Sequence, residues 1–216
     1  MKRTNKLNWL FAALLFCGIS TTSYSQNLKD VLTNSETPIT YLGVDFSKAK
    51  LLAPGNPDEI RNRLYTAINY VVINEPKKYD IKGAFHKSVV TNDITAVNAK
   101  NEKANINDIL STNSADFNRF RENDIAAIVK DLDLSGKQGV GLVFVMEAMQ
   151  KIDKDAEAAV WATLIDMKTK KVLITERIVS KAGGIGFRNY WATTIKNTIE
   201  TIEKKKYKEW QSKYSS

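Results

Sequence analysis

Apolar residues at Ile60, Leu64, Ala67, Ile68, Val71 and Val72 recur at spacings of one, three and four, which draws a single stripe along a helix. The start of that helix is equally legible. Asn56 can cap it, Pro57 suits its first position, and Glu59 complements the positive end of its dipole. Asn74-Glu75-Pro76 ends it, because the residue before a proline avoids the helical region. From Glu122 a second helical period runs through Ile125, Ile128, Val129 and Leu132, closed by Leu134-Ser135-Gly136. A third and longer one aligns Trp191, Ile195, Ile199 and Ile202, and sets Glu200 one turn from Lys204.

Strand patterns fill the intervals. Ile39 to Phe46 is β-rich, and Val140 to Met146 is a short continuous apolar run of the kind covered on both faces. Ala158–Ile165 and Lys171–Ile178 flank Asp166-Met167-Lys168-Thr169-Lys170, a polar turn, and form the clearest hairpin. Between Lys77 and Phe120 the pattern weakens. Val89-Val90 and Ile94–Val97 are candidate strands around a turn at Thr91–Asp93, and Asn105–Leu110 is a candidate short helix. Helices dispersed among hairpin-joined strands predict an α+β fold. Its sheet is mixed and largely antiparallel, with helices mainly on one face and a long helix at the C-terminus.

The first 25 residues belong to a different pattern. Lys2, Arg3 and Lys6 precede an apolar run from Trp9 to Ile19, and small residues at Ser23 and Ser25 suit a cut before Gln26. This is the layout of a secretory signal peptide, with an apolar run too short for a comfortable membrane span. A lipid anchor on Cys17 is the rival reading, but Phe16 stands where such a site wants a small residue. Residues 26–216 are then expected to form one periplasmic or secreted domain, since no repeat, long linker or low-complexity tract interrupts them.

Cys17 is the only cysteine, so cleavage would leave no disulfide, thiol nucleophile or thiolate ligand. The leader carries three basic residues and no acids, and its loss lowers the net charge from +8 to +5. That surplus lies towards the C-terminus and lacks the basic face of a nucleic-acid binder.

The run from Val160 through Asp166, Thr169, Val172 and Leu173, followed by glycines and a closing helix, resembles the last hairpin and helix of several exported envelope proteins. They are the curli-secretion pore component, the outer-membrane lipoprotein activators of peptidoglycan synthases and the N-terminal domain of the Tol translocation protein. Lys170 replaces their usual turn glycine. The whole chain is also similar to small exported proteins of Bacteroidetes-type genomes. The resemblance covers about sixty residues and implies an envelope assembly or binding module without catalysis; it transfers no active site.

The candidate chemistry is sparse. Gly183, Gly184 and Gly186 with Arg188 precede the last helix and could cradle an anion at its N-terminus, although both the dinucleotide and the phosphate-loop spacings are missing. Turn geometry is the plainer role for these glycines. His86 is the only histidine, and no Gly-x-Ser-x-Gly elbow presents a serine to it. Asp45 and Glu147 are candidates for a general acid and base, and Glu176 is a further strand carboxylate. Asp153, Asp155 and Glu157 alternate as calcium ligands do, but lack the glycine and the distal glutamate, so no metal site is expected. Lys204, Lys205, Lys206 and Lys208 beside Tyr207 and Trp210 suit weak contact with an anionic surface, or simply the negative end of a helix. The expected function is therefore a non-enzymatic exported module whose partner is a protein or envelope polymer, with no cofactor and no nucleic acid. Its alternatives are a carboxylate hydrolase and an anion or nucleotide binder. The module reading expects exposed aromatics to cluster on one face.

Overall fold

The computed structural model describes residues 28–214; the leader and Cys17 lie outside the described residues. The elements are α1 (Leu28–Thr33), β1 (Ile39–Asp45), β2 (Lys50–Leu52), α2 (residues 57–74), α3 (Ile81–Ala84), β3 (Val90–Asn92), α4 (Thr95–Asn101), α5 (Glu122–Lys130), β4 (Val140–Ile152), β5 (Asp155–Asp166), β6 (Lys171–Lys181) and α6 (residues 187–214). Single-turn helices at Ile106–Asp108 and Ser114–Asn118 punctuate the loop between α4 and α5. α2 opens as its sequence requires, with the Asn56 side chain accepting from the amides of Asp58 and Glu59.

One mixed sheet runs in the order β3-β1-β4-β5-β6. β1 is parallel to β3 and β4, whereas β4-β5-β6 is an antiparallel meander with the longest ladders in the molecule. β2 continues the edge begun by β1, pairing Lys50–Leu52 with Ala148–Gln150 further along β4. The class is α+β.

Alternation along the strands divides the core in two. Ile39, Tyr41, Val140, Leu142, Phe144, Val160, Leu164 and Ile178 face the larger cluster, formed with α1, α2, α3 and α6. Leu42, Val143, Val145, Trp161 and Ile165 face a smaller one under α4 and α5. β4 is buried from Val140 to Met149, which explains its unbroken apolar run: neither of its faces meets water.

Three sequence expectations change. Ile94–Val97 is not a strand; it leads into α4, whose Val97 packs under the sheet. The isolated propensity of Ile and Val yields to burial on a helix face. β4 also extends past Met146 and turns directly into β5, so the acids at Asp155 and Glu157 stand on a strand, and Asp153 takes the turn with φ of 51°. Thr91 and Asn92, expected in a turn, stand on β3 and pair with Thr40 and Tyr41; β2 has no periodic signal that could have announced it.

Candidate functional site

Glu147 occupies a bulge in β4, where the register to β5 shifts between Met146 and Ala148. The shift leaves its carboxylate on the smaller-core side, fully buried. Four donors converge on it. The amides of Arg119 and Phe120 reach Oε1 at 2.5 and 2.7 Å, while Trp161 Nε1 and Arg177 Nε reach Oε2 at 3.0 and 2.7 Å. Arg177 also donates to the carbonyl of Phe117 and lies over its ring. This one carboxylate therefore ties the Ser114–Asn118 turn onto two strands, with its lone pairs occupied.

Asp45, at the end of β1, pairs in register with Val145, two residues before Glu147. It too is buried. Its Oδ1 accepts from the Ser47 amide at 2.8 Å and its Oδ2 from Lys100 Nζ at 3.0 Å. Three buried asparagines complete the end of β1. Asn69 accepts from the Val44 amide at 2.7 Å and donates to Asn98 Oδ1 at 2.8 Å. Asn101 accepts from the Phe46 amide at 2.7 Å and donates to the Val44 carbonyl at 2.9 Å. β1 shifts register against β4 between Tyr41 and Gly43, whose φ is 106°, and beyond the reach of β3 these side chains bond the uncovered edge of β1.

The other sequence candidates lie apart from this junction. Gly184 and Gly186 have φ of 105° and 77°, a region that L side chains adopt only under strain, and the Gly183 amide is already bonded to the Tyr190 carbonyl at 3.2 Å. The loop borders a hollow of about 440 Å³ shared with the start of α2, where Arg63 is paired with Glu59 and Arg188 Nε bonds Asn189 at 3.1 Å. His86 is exposed, with its ring centroid 4.6 Å from that of Tyr207. Its neighbour Lys87 is buried and donates to the carbonyls of Val31 and Asn34, holding the end of α1. Burial lowers the Lys87 ammonium from its ordinary value.

In the C-terminal lysine cluster, Tyr207 and Trp210 are core residues. Tyr207 donates to the Leu32 carbonyl at 3.0 Å and Trp210 to Glu176 at 2.6 Å. Lys206 pairs with Glu176 and Glu209, and Lys204 with Glu200 at 3.2 Å. Lys204, Lys205 and Lys208 are exposed, with no aromatic partner among the described residues. Among the described residues Tyr70 is the single aromatic of the exposed large apolar side chains, so the expected cluster of exposed aromatics is not found there; Leu110 and Ile152 border an apolar hollow of about 650 Å³.

Beside the carboxylate junction lies a polar cleft of about 420 Å³ that sequence reasoning did not find. Lys48, Lys50, Lys100, Lys103 and Arg119 line it, against Asp108 and Asp131. The cations come from the β1–β2 loop, the start of β2, α4 and its exit, and the turn before α5, so no local motif links them. Lys100 is held by Asp45 and the Ile128 carbonyl at 2.5 Å; Lys50 is held by the Asp108 carbonyl at 2.5 Å. Arg119 donates Nη2 to the Lys48 carbonyl and lies 4.1 Å from the Phe120 ring centroid. Its Nε and the Ser47 hydroxyl oxygen are buried without a hydrogen-bond partner among the described residues. Burial lowers the Arg119 guanidinium from its ordinary value, with Asp116 and Glu147 acting in the opposite sense.

Comparison with known proteins adds little. No family model matches the chain, and no curated protein matches it. Among solved structures, the lipoprotein GNA1162 from Neisseria meningitidis is similar over 76% of this chain and 99% of its own, at 14% identity and a TM-score of 0.28. Among the described residues, no helix is long and apolar enough to cross a membrane.

Proposed function

We propose that this protein is an exported binding module of the cell envelope that performs no catalysis and takes a protein or envelope polymer as its partner. Its address rests on the N-terminal pattern from Lys2 to Ser25. The observation that carries the binding reading is the saturation of Glu147. The best-buried acid of the chain spends both oxygens on four structural donors, which leaves it no lone pair for a substrate proton. Asp45 is similarly held by Lys100 and the Ser47 amide. A general acid or base must reach a reacting atom, and neither group is exposed to one.

The test has two arms. Expressed with its leader in a Gram-negative host, the chain should be recovered from the periplasmic or membrane fraction with Gln26 at its N-terminus; retention in the cytoplasm would overturn the address. Incubated with chromogenic glycosides and esters, the purified protein should give no turnover. Turnover abolished by Asp45→Asn would restore the hydrolase.

A further inference from the structure

The cleft beside Asp45 and Arg119 has the composition of an anion receptor, and we infer that it binds a phosphate monoester carrying free hydroxyl groups. The inference rests on the binding-module reading and supplies that module's ligand chemistry. Five cations meet three carboxylates, Asp45, Asp108 and Asp131, and Lys48, Lys103 and Arg119 make no salt bridge among the described residues. With Lys100 on Asp45 and Lys50 beside Asp108, the positive excess that remains favours an anion.

The donors are also unspent. Lys100 Nζ uses two of its three N–H groups, on Asp45 and Ile128, and Lys50 uses one on the Asp108 carbonyl. Arg119 Nε and the Ser47 hydroxyl oxygen, on two residues that line the cleft, are buried without a partner among the described residues. A guanidinium with several ammonium groups around it suits a doubly charged phosphate better than a single carboxylate. The hydroxyl part follows from the acids. Asp131 has no partner among the described residues, and Asp108 is bonded only to Asn105 on one oxygen, at 2.8 Å, with Lys50 at 4.0 Å from the other. Both can accept hydroxyl protons at the rim while the phosphate takes the cations.

Two sources share this chemistry, a soluble phosphate ester and a lipid headgroup that itself carries a phosphate monoester and free hydroxyls. Calorimetry on the purified full chain, with glycerol phosphate and with inorganic pyrophosphate as probes, should show saturable binding that weakens as salt rises. Lys103→Ala, an exposed change that leaves packing intact, and Arg119→Ala should each weaken it by about ten- to a hundredfold, while Lys204→Ala should leave it unchanged. If Arg119→Ala unfolds, the Lys48→Ala, Lys103→Ala pair replaces it.

Absence of saturable heat at millimolar probe overturns the site and leaves the non-catalytic reading intact. So does equal weakening by Lys204→Ala, which would mean diffuse surface charge. Release of inorganic phosphate from glycerol phosphate does the reverse, retaining the site and refuting the non-catalytic reading. Vesicles of phosphatidylinositol monophosphate in phosphatidylcholine separate the sources. Vesicle binding that glycerol phosphate displaces assigns a lipid headgroup, and binding of the free ester alone assigns a soluble ligand.

Discussion

Glu147 and Arg119 meet at one junction and show opposite outcomes of burying charge. The Arg119 amide donates to Glu147, whose carboxylate is enclosed by four donors from a turn and two strands. Among the described residues, the Arg119 guanidinium makes one hydrogen bond, to a carbonyl, and keeps a buried Nε without a partner. A fully satisfied polar network fixes structure, because every member would be costly to release. An under-satisfied one keeps donors available. Asp45 and Glu147, the carboxylates of the alternative hydrolase reading, fall on the satisfied side of that contrast, and Arg119 falls on the other.

The strongest break of the comparison is Glu147→Ala. It strands Arg177 and two amides in the core and should cost about 3–5 kcal/mol in urea unfolding, whereas Arg119→Ala should cost much less. Equal losses would mean that the two groups belong to one structural network and that the cleft is not a site. Asn69→Ala tests the neighbouring side-chain bonds to β1. It leaves the Val44 amide unmet and should cost about 1–3 kcal/mol, seen as a lower urea midpoint with unchanged slope. Gly184→Ala should cost about 1–2 kcal/mol through its positive φ alone, since its Cβ would meet nothing nearer than 3.5 Å. A larger loss would show that the loop supports more than its own turn.

Lys87 sharpens the same contrast by pH. Its folded value lies below the unfolded one, so the unfolded chain binds more protons between the two, and stability should rise with pH up to about 10.5. The buried phenols of Tyr41 and Tyr65 act oppositely. Burial raises both, and the stability tied to their protonated forms is present below about 10 and is lost above it. Lys87→Met should therefore flatten the rise in stability measured by urea unfolding from neutral pH towards 10 and leave the alkaline loss unchanged; an unaltered profile would show that Lys87 is solvated. The smallest effect belongs to Lys204→Ala, within about 0.5 kcal/mol, because its pairing with Glu200 is an exposed pair one turn apart.

Much of the fold was legible because its signals are local. The cap at Asn56, the stripe along α2, the hairpin around Asp166 and the face of α6 each depend on residues a few positions apart. Even the burial of β4 on both faces could be read from its unbroken apolar run. The segment from Lys77 to Phe120 resisted because its helices are short and its one strand has three residues, too few for a period to emerge. Tyr207 and Trp210 show another limit. Beside four lysines they suit a surface, yet their polar tips find Leu32 and Glu176 inside the fold.

By itself, the sequence determined the α+β class, the main helices and strands, and the poverty of local catalytic motifs, since each follows from spacing or composition. Only the tertiary structure decided what the charges do. It enclosed Asp45 and Glu147 among donors from distant segments, and it gathered Ser47, Lys50, Lys100, Lys103 and Arg119 around one cleft. Those groups are brought together by the β1–β4 crossing and the α4–α5 layer beneath it, and electrostatic interactions depend on separation in space, which chain order does not encode.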